Sequence, residues 1–540
     1  MKRVISLLLA FAMLLAIGGC NTAGKEGTQT QNSGAASENT ASVPEASSGG
    51  ASGAEKVRIM VPGTGGGVSD WDNNEILVEI EKATNTDIKL DWVDQSSIEE
   101  LLTAAASSEN FPDMACALDD GSKTFLQSLV DNNIIAAYEG DVAAAAPNII
   151  KRYEENKNLA ELKINGKIYF QPLYWGNDND PNLGLIHIRK DLADKYNLKI
   201  PDTWDDYVNY LRACVKQEGI NGVAFIADNS RQQIECAMNV YLGSYGIPFK
   251  GWYLDKNKEY QYWLTADAVA EAVVAFRNLF AEGLVDPNCM SYSEEMVKSA
   301  YVSGTCGSMI YNGGGHIGRT QNDMALVNDK FQEYLCPALN CGGGTRGYTQ
   351  EPMWGCVNVI GGCDYNNTLG AARIVNFLIS EEGEKLTAIG VEGVDYTYDA
   401  ATDTYTCLEA KYEHGFPKEA GLNGAHPLSA GIVSWQSQSW QDFNLLYGKS
   451  DEYKKWYYEM RDNQCRYQIP CYGYALTTKE WSDFEATGND LLSRALINAW
   501  QAGSDNEARK IWADFIKEWK AAGGIEASDT VIEVIKEMYG

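Results

Sequence analysis

Histidine is scarce: His187, His316, His414 and His426 are the only four in 540 residues, and they share no clustered spacing. A zinc site needs three or four converging nitrogen and sulfur ligands, so this pattern gives it no support. Cysteine is commoner, at 13 residues, but no two form a C-x-x-C pair. The close pairs Cys336/Cys341, Cys356/Cys363 and Cys465/Cys471 are compatible with disulfides or with buried thiols, and spacing alone does not choose between them. Positive charge is in deficit, with 44 Lys and Arg against 74 Asp and Glu and a net charge of -30. Such a field repels phosphate backbones and anionic lipid surfaces, which excludes nucleic acid as a partner. Beyond residue 17 no apolar run is long enough for a transmembrane helix.

The first 20 residues are built differently from the rest. Lys2 and Arg3 precede an apolar run from Val4 to Ile17, and Gly18-Gly19-Cys20 follows. That is the layout of a secretory signal, with an apolar stretch too short to be a permanent span. Ile17-Gly18-Gly19-Cys20 resembles the bacterial lipobox, which implies cleavage after residue 19 and a diacylglyceryl group on Cys20. Residues 20–54 are then almost wholly Ser, Gly, Ala, Thr, Asn, Gln and Glu, with no aromatic residue. They cannot bury enough apolar surface to offset ordering, so a flexible tether is expected, with an r.m.s. reach of about 30 Å.

From residue 55 onward the chain is long enough for two large cores. It carries 14 Trp and 30 Tyr at a mean hydropathy of -0.31. Lys56 to Pro62 reads as a strand, Trp71 to Ile80 has helical periodicity, and Ile88 to Trp92 reads as a second strand, which together predict a parallel βαβ unit. The glycines at 63–67 do not open a helix, so the dinucleotide fingerprint is not met. Further strands are predicted over 164–170, 183–188 and 223–227. Helices are predicted over 204–216 and 266–282, the latter capped by Thr265, and over 369–379, 451–461 and 507–520. The class is α/β with a helix-rich C-terminal part.

Several local signatures occur in one order. They are Phe111-Pro112-Asp113-Met114, then Asn165-Gly166-Lys167-Ile168-Tyr169 ahead of Pro172, then Arg189-Lys190-Asp191-Leu192 with Pro201-Asp202-Thr203-Trp204. Glu282-Gly283-Leu284-Val285-Asp286-Pro287, Gly304-Thr305-Cys306-Gly307-Ser308-Met309 and Ser380-Glu381-Glu382-Gly383 follow. The series resembles the extracellular carbohydrate-binding proteins of ABC importers, and most closely the lipoprotein oligosaccharide binders of Gram-positive bacteria. Each piece also has a local reading. Thr203 is placed to cap a helix that opens with Asp205 and Asp206, and Asn165-Gly166 is a hairpin-type turn.

The resemblance implies a two-lobe, periplasmic-binding-protein-like fold of type II with a ligand cleft between the lobes. Carried onto this chain, it puts lobe one at residues 55–172 plus 312–350 and lobe two at 173–311 plus 351–540. It also implies a monomeric binding protein at the extracellular face of the cell membrane, attached through its lipid alone. Such a protein captures an oligosaccharide and passes it to ABC importer permease subunits, with neither catalysis nor a cofactor. A secreted glycoside hydrolase, and a binder of a peptide or another polar solute on the same fold, remain open alternatives.

Sugars ask for aromatic platforms beside carboxylates, amides and Arg. The segments expected to cross between the lobes supply Tyr174 and Trp175, Asn312 and His316, and Glu351 and Trp354. Asp119 and Asp120 follow the Pro-Asp element, Asn229 and Arg231 follow a lobe-two strand, and Trp435 and Trp440 form a late aromatic pair. Trp175 and Trp435 are expected on opposite sides of the ligand, the second contributed by lobe two. The Asp/Asn run at 177–180 lacks the twelve-residue pattern of a calcium loop.

Overall fold

The computed structural model describes residues 53–63, 74–119, 123–175, 180–226, 234–314, 316–351, 354–408 and 435–540. The signal at 1–19, Cys20, the tether and the glycine turn at 64–67 lie outside these residues.

The expected βαβ unit is present. Strand β1 (Glu55–Pro62) pairs in parallel with β2 (Thr86–Val93) along its whole length, and the helix Glu75–Thr84 connects them. Asn74 caps that helix, accepting N–H bonds from Ile76 and Leu77, and Asn85 ends it in the left-handed region at φ 53°. The sheet grows to six strands in the order β15-β4-β12-β3-β1-β2, with β3 at Met114–Asp119, β4 at Gln171–Trp175, β12 at Trp354–Ile360 and β15 at Trp435–Gln436. Its core is aliphatic, with Val57, Ile59, Leu118, Val357 and Val359 almost wholly buried against Ile374 and Val375 of the helix Thr368–Leu378.

A second sheet has the order β10-β5-β9-β6. Its members are β5 (Leu185–Arg189), β6 (Asn221–Phe225), β9 (Cys306–Tyr311) and β10 (Glu333–Leu335). Three two-stranded ribbons complete the set: β7 (Trp252–Leu254) with β8 (Tyr260–Tyr262), β11 (Tyr348–Thr349) with β16 (Gln468–Ile469), and β13 (Tyr396–Asp399) with β14 (Thr404–Cys407). The core of this sheet is aromatic. Helices Lys479–Trp500 and Asp505–Ala521 close over helix Asp267–Ala281, and Trp500 stacks on Phe276 at 5.5 Å between ring centroids. The C-terminal part is helix-rich, as its periodicity predicts.

Strand membership corrects the expected boundaries. The segment 312–350 supplies β10 to the second sheet, where Leu335, Cys336 and Tyr348 are buried. From the segment 351–540, β12 and β15 join the first sheet instead, because the apolar face of β12 fills the gap between β3 and β4.

Local signals hold better than tertiary ones. Thr203 forms a full capping box with Asp206. Asn165 and Gly166 both have positive φ, at 52° and 76°, and Ile164 and Lys167 bond across them. The strand predicted over 164–170 is displaced, however. Ile168 gives its carbonyl to Tyr138 and Phe170 gives its carbonyl to the Tyr153 hydroxyl, so the regular strand starts at Gln171. Thr265 does not cap the next helix: its hydroxyl donates to the Tyr262 carbonyl at 2.9 Å, and Ala266 holds the cap position.

Candidate functional site

Five strands of the first sheet, β1, β2, β3, β4 and β15, run the same way, and β12 runs against them. Ligands of open α/β sheets bind outside the carboxyl ends of such strands. Tyr174, near the carboxyl end of β4, is in backbone register with Trp435 of β15 on one side and with Trp354 of β12 on the other. Trp175 pairs with Gln436, and Asp119 at the end of β3 pairs with Cys356. One end of one sheet therefore gathers Asp119, Tyr174, Trp175, Trp354 and Trp435. The expectation that Trp435 comes from lobe two, opposite Trp175 across the ligand, is corrected: the backbone of β15 lies in the first sheet, adjacent to β4 and one register position from Trp175.

Beside this end three segments are fastened to one another. The first follows β4 and the third precedes β12, each passing between the two sheets, whereas the second, at Asn312, is expected to cross but links β9 to β10 within the second sheet. The Asn182 carbonyl of the first accepts the Gly313 N–H of the second at 2.7 Å. Glu351 of the third accepts the N–H groups of Asn182 and Leu183 on one carboxyl oxygen, at 3.2 and 2.7 Å. Its other oxygen takes the Tyr474 hydroxyl at 3.4 Å. Glu351 is 3% exposed, and burial raises its pKa to about 7 against the opposing pull of the two N–H donors and Lys250.

The second segment holds Asn312, whose amide donates to Glu294 at 2.9 Å. His316 opens the helix His316–Val327, edge-on to Tyr311 at 5.5 Å. Desolvation, then the charges of Arg319 and Lys298, lower its pKa to about 4, so it is a neutral imidazole. Gly313 is explained by packing, since a Cβ there would lie 2.9 Å from the Gln464 amide. An aromatic residue has no room at position 313.

A further group went unsignalled in the sequence. Arg461, on helix Asp451–Cys465, donates to Asp180 at 2.8 Å, to Gln438 at 2.6 Å and to Gln464 at 2.6 Å. Gln464 in turn accepts the Gly314 N–H at 3.1 Å and donates to the Pro181 carbonyl. No local pattern marks these residues, because the helix reads only as a helix and its partners are remote in sequence.

Trp440 is half-buried in a satellite cluster, edge-on to Tyr405 and Phe443 at 5.6 and 5.7 Å. Asp120, Asn229 and Arg231 lie outside the described residues. Among the described residues no His, Cys, Asp and Glu group could hold a metal ion, and no disulfide joins the cysteines.

The model of a family described as bacterial extracellular solute-binding protein matches residues 75–404, well over half of the chain. The chain belongs to this family. A curated relative, the polygalacturonan/rhamnogalacturonan-binding protein YtcQ of Bacillus subtilis (strain 168), is 28% identical over 144 residues. That match spans about a quarter of each protein, 26% of this chain and 27% of the relative. Solved structures match over nearly their whole length. The alginate-binding protein AlgQ2 has a TM-score of 0.66 at 17% identity, covering 90% of this chain and 97% of its own. A solute-binding protein from Bifidobacterium longum infantis ATCC 15697, described as binding HMO, has a TM-score of 0.67 at 16% identity, covering 90% and 99%. The S. pneumoniae substrate-binding protein FusA, solved with kestose, has a TM-score of 0.65 at 18% identity, covering 89% and 99%. Likeness at these identities shows the fold, which is periplasmic-binding-protein-like and α/β. No described helix of this family member is long and apolar enough to cross a membrane.

Proposed function

We propose that this solute-binding protein captures an oligosaccharide outside the cell and hands it to the permease subunits of an ABC importer. It acts as a monomer held to the outer face of a Gram-positive type cell membrane by a lipid on Cys20. The observation that carries the reading is the row Trp354, Tyr174 and Trp435 across three neighbouring strands, beside the fastened crossing segments. Aromatic rings pack against the apolar C–H face of a sugar, while its rim of hydroxyls needs carboxylates, amides and guanidinium groups. Trp175 and Trp435 are the stacking platforms in this reading, with Tyr174 and Trp354 next to them. Asp119, Asp120, Asn229 and Arg231 serve the hydroxyls. Glu351 already accepts from the Asn182 and Leu183 N–H groups of the first crossing segment and Asn312 already donates to Glu294, so both are better read as supports of the site.

The printed names of the relatives favour sugars over peptides, since they bind polygalacturonan, alginate, HMO and kestose. A thermal-shift screen with oligomers of galacturonate, rhamnogalacturonan and alginate, human milk oligosaccharides and kestose tests it. A ligand at 100 times its dissociation constant adds about 2.7 kcal/mol to folding, so one member should raise the melting temperature clearly. A panel that leaves it unmoved overturns the reading, and release of shorter sugars would make the protein a hydrolase.

A further inference from the structure

We infer that Arg461 is a positioning residue for the ligand site, holding the continuations of β4 and β15 at one fixed spacing. The inference rests on the proposed site at the end of the first sheet. β4 and β15 are parallel neighbours, so both chains leave the sheet at the same end, one just after Trp175 and the other just after Gln436. Asp180 lies on the first continuation and Gln438 on the second. A single guanidinium nitrogen of Arg461 reaches both, at 2.8 and 2.6 Å. Its other terminal nitrogen bonds Gln464, which fixes Gly314 and Pro181.

The chemistry asks for arginine. Its planar fork presents several donors in a rigid arrangement, whereas a lysine ammonium is a point charge on a flexible stem. The Arg461 and Asp180 side chains are 10% and 11% exposed, so each screens the other's charge from an environment that tolerates neither alone. β15 has only two residues and sits at the edge of the sheet. Two ladder positions hold an edge strand weakly, and the bonds from Arg461 to Gln438 and from the Ser437 N–H to Glu384 anchor the chain beyond it.

Arg461→Met removes the fork at similar length, and Arg461→Lys keeps the charge alone. Gln438→Ala cuts only the arm to β15 and leaves no buried charge, so it keeps the test usable where the first two fold poorly. Hydrogen exchange on the ligand-free protein is read at Trp435 and Gln436 against Val57 and Ile59 of the same sheet. Exchange at 435–436 should quicken at least tenfold in all three variants while β1 stays protected. Unchanged protection at 435–436, or full restoration by lysine, overturns the inference. In parallel, calorimetric titration with whichever sugar of the panel stabilises the wild type should show at least fivefold weaker binding per folded molecule. Equal affinity would reduce Arg461 to a structural staple. If no sugar binds the wild type, the functional proposal fails by that result and the exchange data alone decide this one.

Discussion

The carboxyl of Glu351 sits under the backbone of the first crossing segment, one oxygen accepting the Leu183 N–H at 2.7 Å. Its folded pKa of about 7 lies above the ordinary 4.5. Below pH 4.5 folded and unfolded chains both hold the proton, and the contribution of the group to stability is complete. Between 4.5 and 7 the unfolded chain releases the proton while the folded one keeps it, so stability falls as pH rises. Glu235, raised by burial to about 7, acts in the same direction. Glu351→Gln keeps an acceptor and removes the titration. Urea midpoints at pH 5 and pH 8 should therefore differ less in the variant than in the wild type. An identical loss in both would show that Glu351 does not titrate in this range.

His187 and Glu333 form a second buried pair, 2.8 Å apart and fully enclosed between β5 and β10. Burial lowers the histidine to about 3 and raises the glutamate, so both directions favour neutral partners. Replacing either with leucine leaves the other buried without its bond, at a cost of about 1–3 kcal/mol. The double replacement should cost less than the sum of the two. Denaturant unfolding of the three variants checks this, and simple additivity would mean that the two side chains do not support each other.

What the sequence made legible was what neighbours decide. Thr203 with Asp206, Asn165 with Gly166, and the helix between β1 and β2 are each specified within a few residues, and each is found in place. The resemblance implied crossing segments at Tyr174, Asn312 and Glu351, but the chain after Asn312 stays within the second sheet. The resemblance could not tell which sheet would take the stretch after each, because the sheet that β10 or β12 joins is decided by strands remote in sequence and only tertiary packing separates them. The knot around Arg461 was invisible for the same reason. Its partner Asp180 is 281 residues away, and Gln464 reaches Gly314 across 150, distances over which composition and periodicity carry no signal.

Lipid attachment is open to a direct test. Cys20→Ser removes the only thiol in the first 100 residues, so metabolic labelling with a fatty acid should fall to background. The protein should then appear in the medium or persist as uncleaved precursor. Continued labelling of the variant would place the anchor at another residue.

The aromatic row gives the most demanding expectation. Trp175 and Trp435 belong to neighbouring strands one register position apart, and adjacent strands lie about 4.8 Å from each other. The proposed site places a sugar at this end of the sheet, where each stacked aromatic contact is worth about 0.5–1.5 kcal/mol beyond the area it buries. Micromolar binding amounts to about -8.2 kcal/mol in total, so removing one ring together with its buried area should weaken affinity tenfold or more. Trp175→Ala and Trp435→Ala should each do so while leaving the melting temperature of the ligand-free protein nearly unchanged, and the tryptophan fluorescence of the wild type should shift on titration with the bound sugar. Because the two rings serve one ligand, the double variant should lose less than the product of the single losses. If either substitution instead lowers the ligand-free melting temperature sharply, that tryptophan is part of the core, and the stacking role passes to Tyr174 and Trp354.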